Sequence, residues 1–236
     1  MYSLITLMAV VLFMVSDSAN AQMPISQPPA NISIEQLSEK LEVGDIVFIH
    51  VDILPFRKIA HDTGSWTNHV GIIIDTSGAE PIIAESTFPF SKTGYLSKFI
   101  ARSKAGRVAV GRLHTPLTPE QRNTIKTAAL RRKGIFYDTG FNLHSRRQYC
   151  SRYVYEVVNE ATGISVGKIE NFTALFADNP NADLIFWRFW YFGRIPWKRE
   201  TVTPASVLQS EYLHSIFDGY VHDNNAKNNF NQNTVL

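Results

Sequence analysis

Two apolar runs joined by a short turn place the strongest constraint on how this chain folds. The runs are NHVGIIID (68–75) and EPIIAEST (80–87), and TSGA lies between them. Runs rich in β-branched residues and bounded by turn residues predict strands. So short a connection can join antiparallel strands but not parallel ones. This stretch therefore predicts a β-hairpin.

The register of this hairpin brings two titratable side chains together. A turn centred on Ser77 places His69 directly opposite Glu85. A register shifted by two residues leaves them diagonal neighbours on one face, whereas a one-residue slip separates them. A carboxylate in an apolar strand costs free energy unless it has a partner. A carboxylate beside an imidazole orients the ring and stabilises its protonated form, so the pattern predicts His69 as a general base.

Two further strands and two helices complete the predicted fold. VGDIVFIHV (43–51) and RVAVGRLH (107–114) predict strands. A helix is expected from Thr118 as N-cap to Gly134, with Gln121 closing a capping box. CSRYVYEVVNEATG (150–163) predicts a second helix that carries one apolar stripe. Several strands followed by helices predict an α+β domain with a largely antiparallel sheet.

The single cysteine of the chain, Cys150, lies at the start of this second helix. Taken alone, a lone cysteine at an apolar helix start is more often a small buried side chain than a nucleophile. Unpaired N–H groups at a helix N-terminus stabilise a thiolate and can bind an oxyanion. If His69 reaches this sulfur, the chain has a nucleophile, a base and an orienting acid. The residues alone leave both readings open.

The two ends of the chain predict segments outside the folded domain. Residues 1–21 carry a short apolar run followed by Ala19-Asn20-Ala21, which indicates a signal peptide, although no Lys or Arg precedes the run. Residues 22–36 are expected to be a linker, residues 37–221 the domain and residues 222–236 a disordered tail. The protein is therefore expected to be periplasmic or secreted, or cytoplasmic if the start is misassigned.

Composition narrows the range of partners. Hydrophobic residues make up 44% of the chain and charged residues 19%, as in globular proteins. A net charge of +2 is too small to indicate a nucleic-acid partner, and the basic clusters at 102–107 and 131–133 are expected to be solvated. No CxxC, HExxH or paired-histidine spacing occurs, so neither a metal nor another cofactor is expected.

An unusually aromatic segment, LIFWRFWYFGRIPW (184–197), allows three interpretations. It is expected to be a buried strand or a segment that covers the core. The alternatives are one wall of an apolar substrate groove and a membrane contact.

Several motifs in order resemble a known family. GDIVF, TNHVGIIID, AES and RQYCSRYVYE resemble the YiiX/YebB-type branch of the circularly permuted papain-like NlpC/P60 hydrolases, and the likeness covers roughly residues 40–207. The resemblance implies a papain-like α+β fold in which a helix bearing the cysteine packs against an antiparallel sheet. It implies Cys150 as nucleophile, His69 as base and Glu85 as the orienting residue. Tyr149 and the backbone amides of Cys150 or Ser151 are weaker candidates for the oxyanion site.

The resemblance implies a cysteine hydrolase or acyltransferase that acts on an amide or ester through a thioester. The expected substrate is a small amphipathic acyl-amide or ester, which is either lipid-like or a muropeptide. Two alternatives stay open: a module that binds a lipid or an N-acyl amino acid without turning it over, and an endopeptidase that trims peptidoglycan. No stable membrane span is expected once the leader is removed.

Overall fold

The computed structural model describes residues 30–222. The predicted signal peptide (1–21), residues 22–29 of the predicted linker and residues 223–236 of the predicted tail lie outside these residues. Within 30–222, no helix has the length and apolar character that crossing a bilayer requires.

The described chain alternates short strands and helices. The strands are β1 (Ala30–Ser33), β2 (Ile46–Val51), β3 (His69–Asp75), β4 (Ile82–Glu85), β5 (Lys92–Tyr95), β6 (Ser103–Leu113), β7 (Ile169–Asn171), β8 (Glu200–Val202) and β9 (Leu213–His222). The helices are α1 (Ile34–Ser38), α2 (Leu54–Asp62), α3 (Leu96–Ile100), α4 (Pro119–Arg131), α5 (Cys150–Thr162), α6 (Phe172–Ala177), α7 (Leu184–Trp190) and α8 (Pro204–Leu208).

Seven strands form one sheet in the order β1-β9-β6-β2-β3-β4-β5. The pair β1–β9 is parallel and the other neighbours are antiparallel. The strands β7 and β8 form a separate two-stranded ribbon. The predicted α+β class with a largely antiparallel sheet is confirmed.

Helices cover both faces of the sheet, which explains the continuous apolar runs of β2 and β3. On one face, α4 and α5 pack against side chains such as Phe48, Val70 and Ile72. On the other face, α1 and α3 pack against Val47 and Ile73. A strand buried on both faces loses the alternation of apolar and polar residues. The Cys-bearing helix is therefore fixed against the strand that begins at His69.

Both predicted helices form: α5 has the predicted ends, whereas α4 begins as predicted but ends at Arg131, two residues before the predicted end. The Thr118 hydroxyl accepts from the N–H of Gln121, and the Gln121 side chain accepts from the N–H of Thr118, which completes the capping box. Helix α5 begins at Cys150 and ends before Gly163, whose φ of 74° lies in the left-handed region that glycine adopts readily.

The hairpin register differs from the prediction by two residues. Ile72 pairs with Ala84, so that His69 and Glu85 are diagonal rather than directly opposed. The connection is longer than predicted, because β4 begins at Ile82 rather than at Glu80, and a bulge interrupts the pairing near Asp75. The Asp75 carboxylate accepts from the backbone N–H and the hydroxyl of Ser77, which closes a local turn. The shift preserves the face on which both site residues lie.

Three other expectations need correction. Residues 30–36 are not linker, because β1 pairs with β9 and α1 packs on the sheet. His222 belongs to β9 rather than to the predicted tail. The segment 184–197 is not a buried strand: it forms α7 and a following turn, and Trp187 and Ile195 are its buried residues.

Candidate active site

Three elements converge at one end of the sheet. His69 is the first residue of β3 and Glu85 is the last residue of β4, so the antiparallel pairing places them at the same end. Cys150 is the first residue of α5, whose N-terminus faces this end. The side chains of all three residues are buried.

The contact between His69 and Glu85 is short and buried. The Nε2 atom of His69 lies 2.6 Å from Oε2 of Glu85. Arg102 donates from one nitrogen to both carboxylate oxygens, at 2.8 and 2.7 Å. The carboxylate thus has His69 and Arg102 as hydrogen-bonded cationic partners, with Nζ of Lys92 3.9 Å from Oε1, and it holds the imidazole ring by its Nε2 atom. Arg102 was expected to belong to a solvated cluster, and this expectation is wrong for this residue.

The surroundings set the protonation states of the pair. Burial alone would raise the pKa of Glu85, but the hydrogen bond and charge of His69 and the charge of Arg102 lower it to about 2. Burial alone would lower the pKa of His69, but Cys150 and Glu85 together raise it to about 9. At neutral pH the pair is therefore an imidazolium and a carboxylate.

The second nitrogen of His69 faces the cysteine. Nδ1 is buried and makes no hydrogen bond within residues 30–222. Since Nε2 is bound to Glu85, Nδ1 is the atom through which Cys150 acts on the pKa of His69. A positive group beside a sulfur atom favours the thiolate, which is the reactive form.

The N-terminus of α5 adds donors beside the sulfur. No side chain caps this helix at Tyr149, so the N–H groups of its first turn are available to a developing oxyanion. The Tyr149 hydroxyl points elsewhere, and so does the hydroxyl of Ser151, whose backbone amide was the candidate. Tyr149 accepts from Thr201 and from the N–H of Val202, and Ser151 donates to the carbonyl of Val202. These contacts fasten α5 to β8.

Tyr137 is a residue of the site that the sequence analysis missed. Its hydroxyl is buried and has no hydrogen-bond partner within the described residues. Burial, and then the neighbouring Cys150, raise its pKa well above 10. A backbone bridge to Gln148 holds Tyr137 in place. A neutral O–H group beside the sulfur with no other partner is a ready donor to a substrate oxygen.

The sequence contains little that identifies Tyr137 and Arg102 as residues of the site. Tyr137 lies in the irregular segment between α4 and α5, where no periodicity indicates a contact with Cys150. The signal for Arg102 was the buried acid itself, because Glu85 in an apolar strand requires a cation in addition to a histidine.

An apolar cavity opens beside Cys150. It encloses about 60 Å³, which is room for about four to six water-sized groups. Its apolar lining comes from α2, from the segment before α5 and from α6 and α7: Ile59, Phe141, Phe172, Leu175, Phe176 and Trp187. Trp187, which belongs to the aromatic segment 184–197, is part of this lining.

A polar anchor fixes Trp187 in this wall. The indole N–H donates to Asp62, which is buried, and Asp62 also accepts from the backbone N–H of Asp183 at 3.1 Å. Lys58 in turn pairs with Asp183 at 2.5 Å. The network ties α7 to α2 across the cavity.

Comparisons with known proteins agree with this arrangement. A family model described as a permuted papain-like amidase enzyme, YaeF/YiiX, C92 family, matches residues 40–217. The uncharacterised protein YiiX of Escherichia coli (strain K12) is 25% identical over 185 residues, which are 78% of this chain and 90% of that protein.

A solved structure shares the fold. The crystal structure of YiiX from Escherichia coli O157:H7, which is described as a metalloprotein, matches with a TM-score of 0.70 and 26% identity. The match covers 76% of this chain and 98% of that one. In the part of this chain that the structure describes, no three His, Cys, Asp or Glu side chains are grouped so that they could hold a metal ion.

Proposed function

Since this chain belongs to the permuted papain-like amidases of the YaeF/YiiX type, a family of cysteine-type hydrolases, we propose that it cleaves an amide or ester of an apolar acyl group through a thioester on Cys150. The observation that carries the proposal is the buried contact between Glu85 and His69 at the N-terminus of α5, where Cys150 is close enough to raise the pKa of the imidazole. A buried imidazole that is held at one nitrogen and faces a thiol with the other is the arrangement that a nucleophilic cysteine requires.

In the proposed acylation step, the Cys150 thiolate attacks the substrate carbonyl carbon. The oxyanion that forms is bound by the N–H groups at the start of α5 and by the Tyr137 hydroxyl. The imidazolium of His69 then gives its Nδ1 proton to the leaving nitrogen or oxygen, and the bond from the carbonyl carbon to that atom breaks. The product at this stage is a thioester and a free amine or alcohol.

In the proposed deacylation step, His69 acts as a base. Its neutral Nδ1 takes a proton from water, and the hydroxide attacks the thioester carbonyl. The thiolate leaves, the acid is released and the imidazolium is restored. An acceptor alcohol or amine in place of water would make the enzyme an acyltransferase. Throughout the cycle, Glu85 keeps the ring oriented by its contact with Nε2.

The cavity supports an apolar acyl group over a muropeptide. Its walls are aromatic and aliphatic, and the buried Asp62 beside it already has three donors. A polar peptide stem would leave its amides without partners there. A short apolar group fits the enclosed space directly.

The proposal is tested by trapping the acyl-enzyme. The protein is incubated with N-acyl amides and acyl esters of increasing chain length, and its intact mass is measured after rapid quenching in acid. We expect a mass increase that equals the acyl group, located on Cys150 and absent in Cys150→Ala. Product release that persists in Cys150→Ala would refute a thioester route.

The activation of the thiol is tested separately by alkylation with iodoacetamide at neutral pH. We expect labelling of Cys150 to slow by about tenfold or more in His69→Ala, because the positive partner of the sulfur is lost. His144→Ala is the matched control, since that histidine also contacts a glutamate but is 69% exposed at its side chain. Equal rates in wild type and His69→Ala would remove the ion pair from the mechanism.

A further inference from the structure

The outer face of α7 and the turn after it carry large apolar side chains with no cover. Ile185, Phe189 and Phe192 are 85%, 83% and 98% exposed. Ile185 and Phe189 are four residues apart and share one face of the helix. With Arg188 and Arg194, which are also exposed, they form what we call the α7 patch.

The conformation of Phe192 adds to the cost of this exposure. Its φ of 52° lies in the left-handed region, which is unfavourable for a bulky residue. Glycine is the usual residue in this position after a helix, and Gly193 follows directly. A phenylalanine that is both strained and fully exposed does not stabilise the folded chain. Such a residue indicates a contact outside the described chain.

The segment that carries the patch contains positive charges only. Residues 184–199 contain four cations, Arg188, Arg194, Lys198 and Arg199, and no acidic residue. In the part of the chain that the structure describes, the side chains of Arg188, Arg194 and Lys198 make no hydrogen bond or ion pair. The acids that border the segment, Asp183 and Glu200, are already paired with Lys58 and His144.

We propose that the α7 patch docks on an anionic lipid bilayer. Exposed aromatic and aliphatic side chains flanked by Arg and Lys are the features that bind a protein to the interface of such a membrane. A protein partner fits less well, since a specific interface buries about 1,000 Å² or more and this patch has three large apolar side chains. The proposal does not rest on the chemistry of Cys150.

Docking in this orientation would hold the cavity about one helix diameter (~10 Å) from the membrane, because Trp187 lies on the face of α7 opposite the patch. Trp187 is on the same helix as the patch and lines the cavity beside Cys150. Substrates with apolar acyl groups are concentrated in bilayers. Helix α7 would therefore connect the membrane-binding surface with the catalytic site.

The experiment is flotation with phosphatidylcholine vesicles, with and without phosphatidylglycerol. The full chain is used in every case, so that the apolar stretch at 4–15 is common to all samples. We expect the double variant Phe189→Ser/Phe192→Ser to bind vesicles with phosphatidylglycerol about tenfold or more weakly than wild type. Arg188→Gln/Arg194→Gln should bind more weakly on these vesicles and lose most of the salt dependence.

Matched controls separate the patch from general effects. Tyr95→Ser removes an aromatic side chain that is 55% exposed on β5, and Arg146→Gln/Arg147→Gln makes the same change in net charge elsewhere. Both should bind as wild type does, and so should Cys150→Ala. Equal binding by the Phe189/Phe192 variant and wild type would overturn the proposal.

A second copy of the chain is the main competing occupant. Light scattering in the absence of lipid would detect it. A dimer that dissociates in Phe189→Ser/Phe192→Ser, together with no binding of wild type to vesicles, would also overturn the proposal. A wild-type monomer that binds only the anionic vesicles would support it.

Discussion

Replacing Glu85 by glutamine tests the central contact of the site. The variant keeps a hydrogen-bond acceptor near Nε2 of His69 but removes the negative charge that lies 2.6 Å away. A hydrogen bond to a charged group contributes about 1.5–3 kcal/mol, against about 0.5–1.5 kcal/mol for a neutral one. We therefore expect the imidazolium to lose about 1–2 kcal/mol of stabilisation relative to the neutral ring, which corresponds to about one pH unit.

The assay is the pH profile of kcat/KM between pH 5 and 10, with the acyl substrate found by acyl-enzyme trapping. In wild type, the alkaline limb should lie near pH 9, where His69 loses its proton. In Glu85→Gln it should lie near pH 8. At pH 9, His69 would then be protonated in about half of the wild-type molecules and in about a tenth of the variant molecules. The ratio of variant to wild-type kcat/KM should therefore be about fivefold lower at pH 9 than at neutral pH.

A surface pair supplies the control for this substitution. His144 and Glu200 lie 2.7 Å apart, but their side chains are 69% and 49% exposed. Glu200→Gln makes the same chemical change and should leave the profile unchanged. Arg102, which is 31% exposed at its side chain, can be hydrated when Glu85 loses its charge, so the variant is expected to fold. An alkaline limb at the same pH in folded Glu85→Gln and wild type would refute the reasoning.

Three further predictions concern the oxyanion, the protonation of the site and the capping box. Tyr137→Phe should lower kcat by about 100-fold with little change in KM, since the hydroxyl would act only on the oxyanion; an unchanged kcat would exclude this role. The free energy of unfolding, measured by urea titration, should fall as pH rises from 6.5 through about 9, because His69 keeps its proton to about pH 9 when folded and to 6.5 when unfolded. His69→Gln should flatten this decline, and an equal decline in wild type and His69→Gln would contradict the prediction. Thr118→Ala should lower the free energy of unfolding by about 1 kcal/mol without changing kcat, because the hydrogen bond from the Gln121 N–H is lost. An effect under about 0.3 kcal/mol would show that the cap contributes little.

The sequence predicted the parts of this molecule that depend on local patterns. The two β-branched runs and the short turn between them predicted the hairpin of His69 and Glu85, and the capping residues predicted the start of α4 and the end of α5. The face shared by the two site residues was correct even though the register was not, because a shift of two residues preserves the face. The bulge at Asp75 depends on a side-chain hydrogen bond in the turn, which the apolar pattern does not reveal.

The parts that the sequence did not predict depend on contacts between distant residues. Strand β1 is short and lies before the apolar pattern begins, and it exists because β9, far along the chain, offers an edge for pairing. Tyr137 reaches Cys150 from an irregular segment. The aromatic residues at 184–197 suggested burial, yet α7 and the turn after it expose three large apolar side chains. Composition alone does not distinguish a core from a surface that binds.

The parallel pairing of β1 and β9 bears on the order in which the site residues occur. Ala30 lies beside Gly219 and Ser33 beside His222, so Ala30 and His222 are separated by about 10 Å along one strand direction. A short added loop could therefore join them, and new termini could be opened in the irregular stretch between α4 and α5. Such a rearranged chain would present its cysteine first and its histidine later, with every side chain of the site in the same place. The order of His, Glu and Cys along the chain therefore depends on where the termini lie, whereas the chemistry depends on the positions of the three side chains in space.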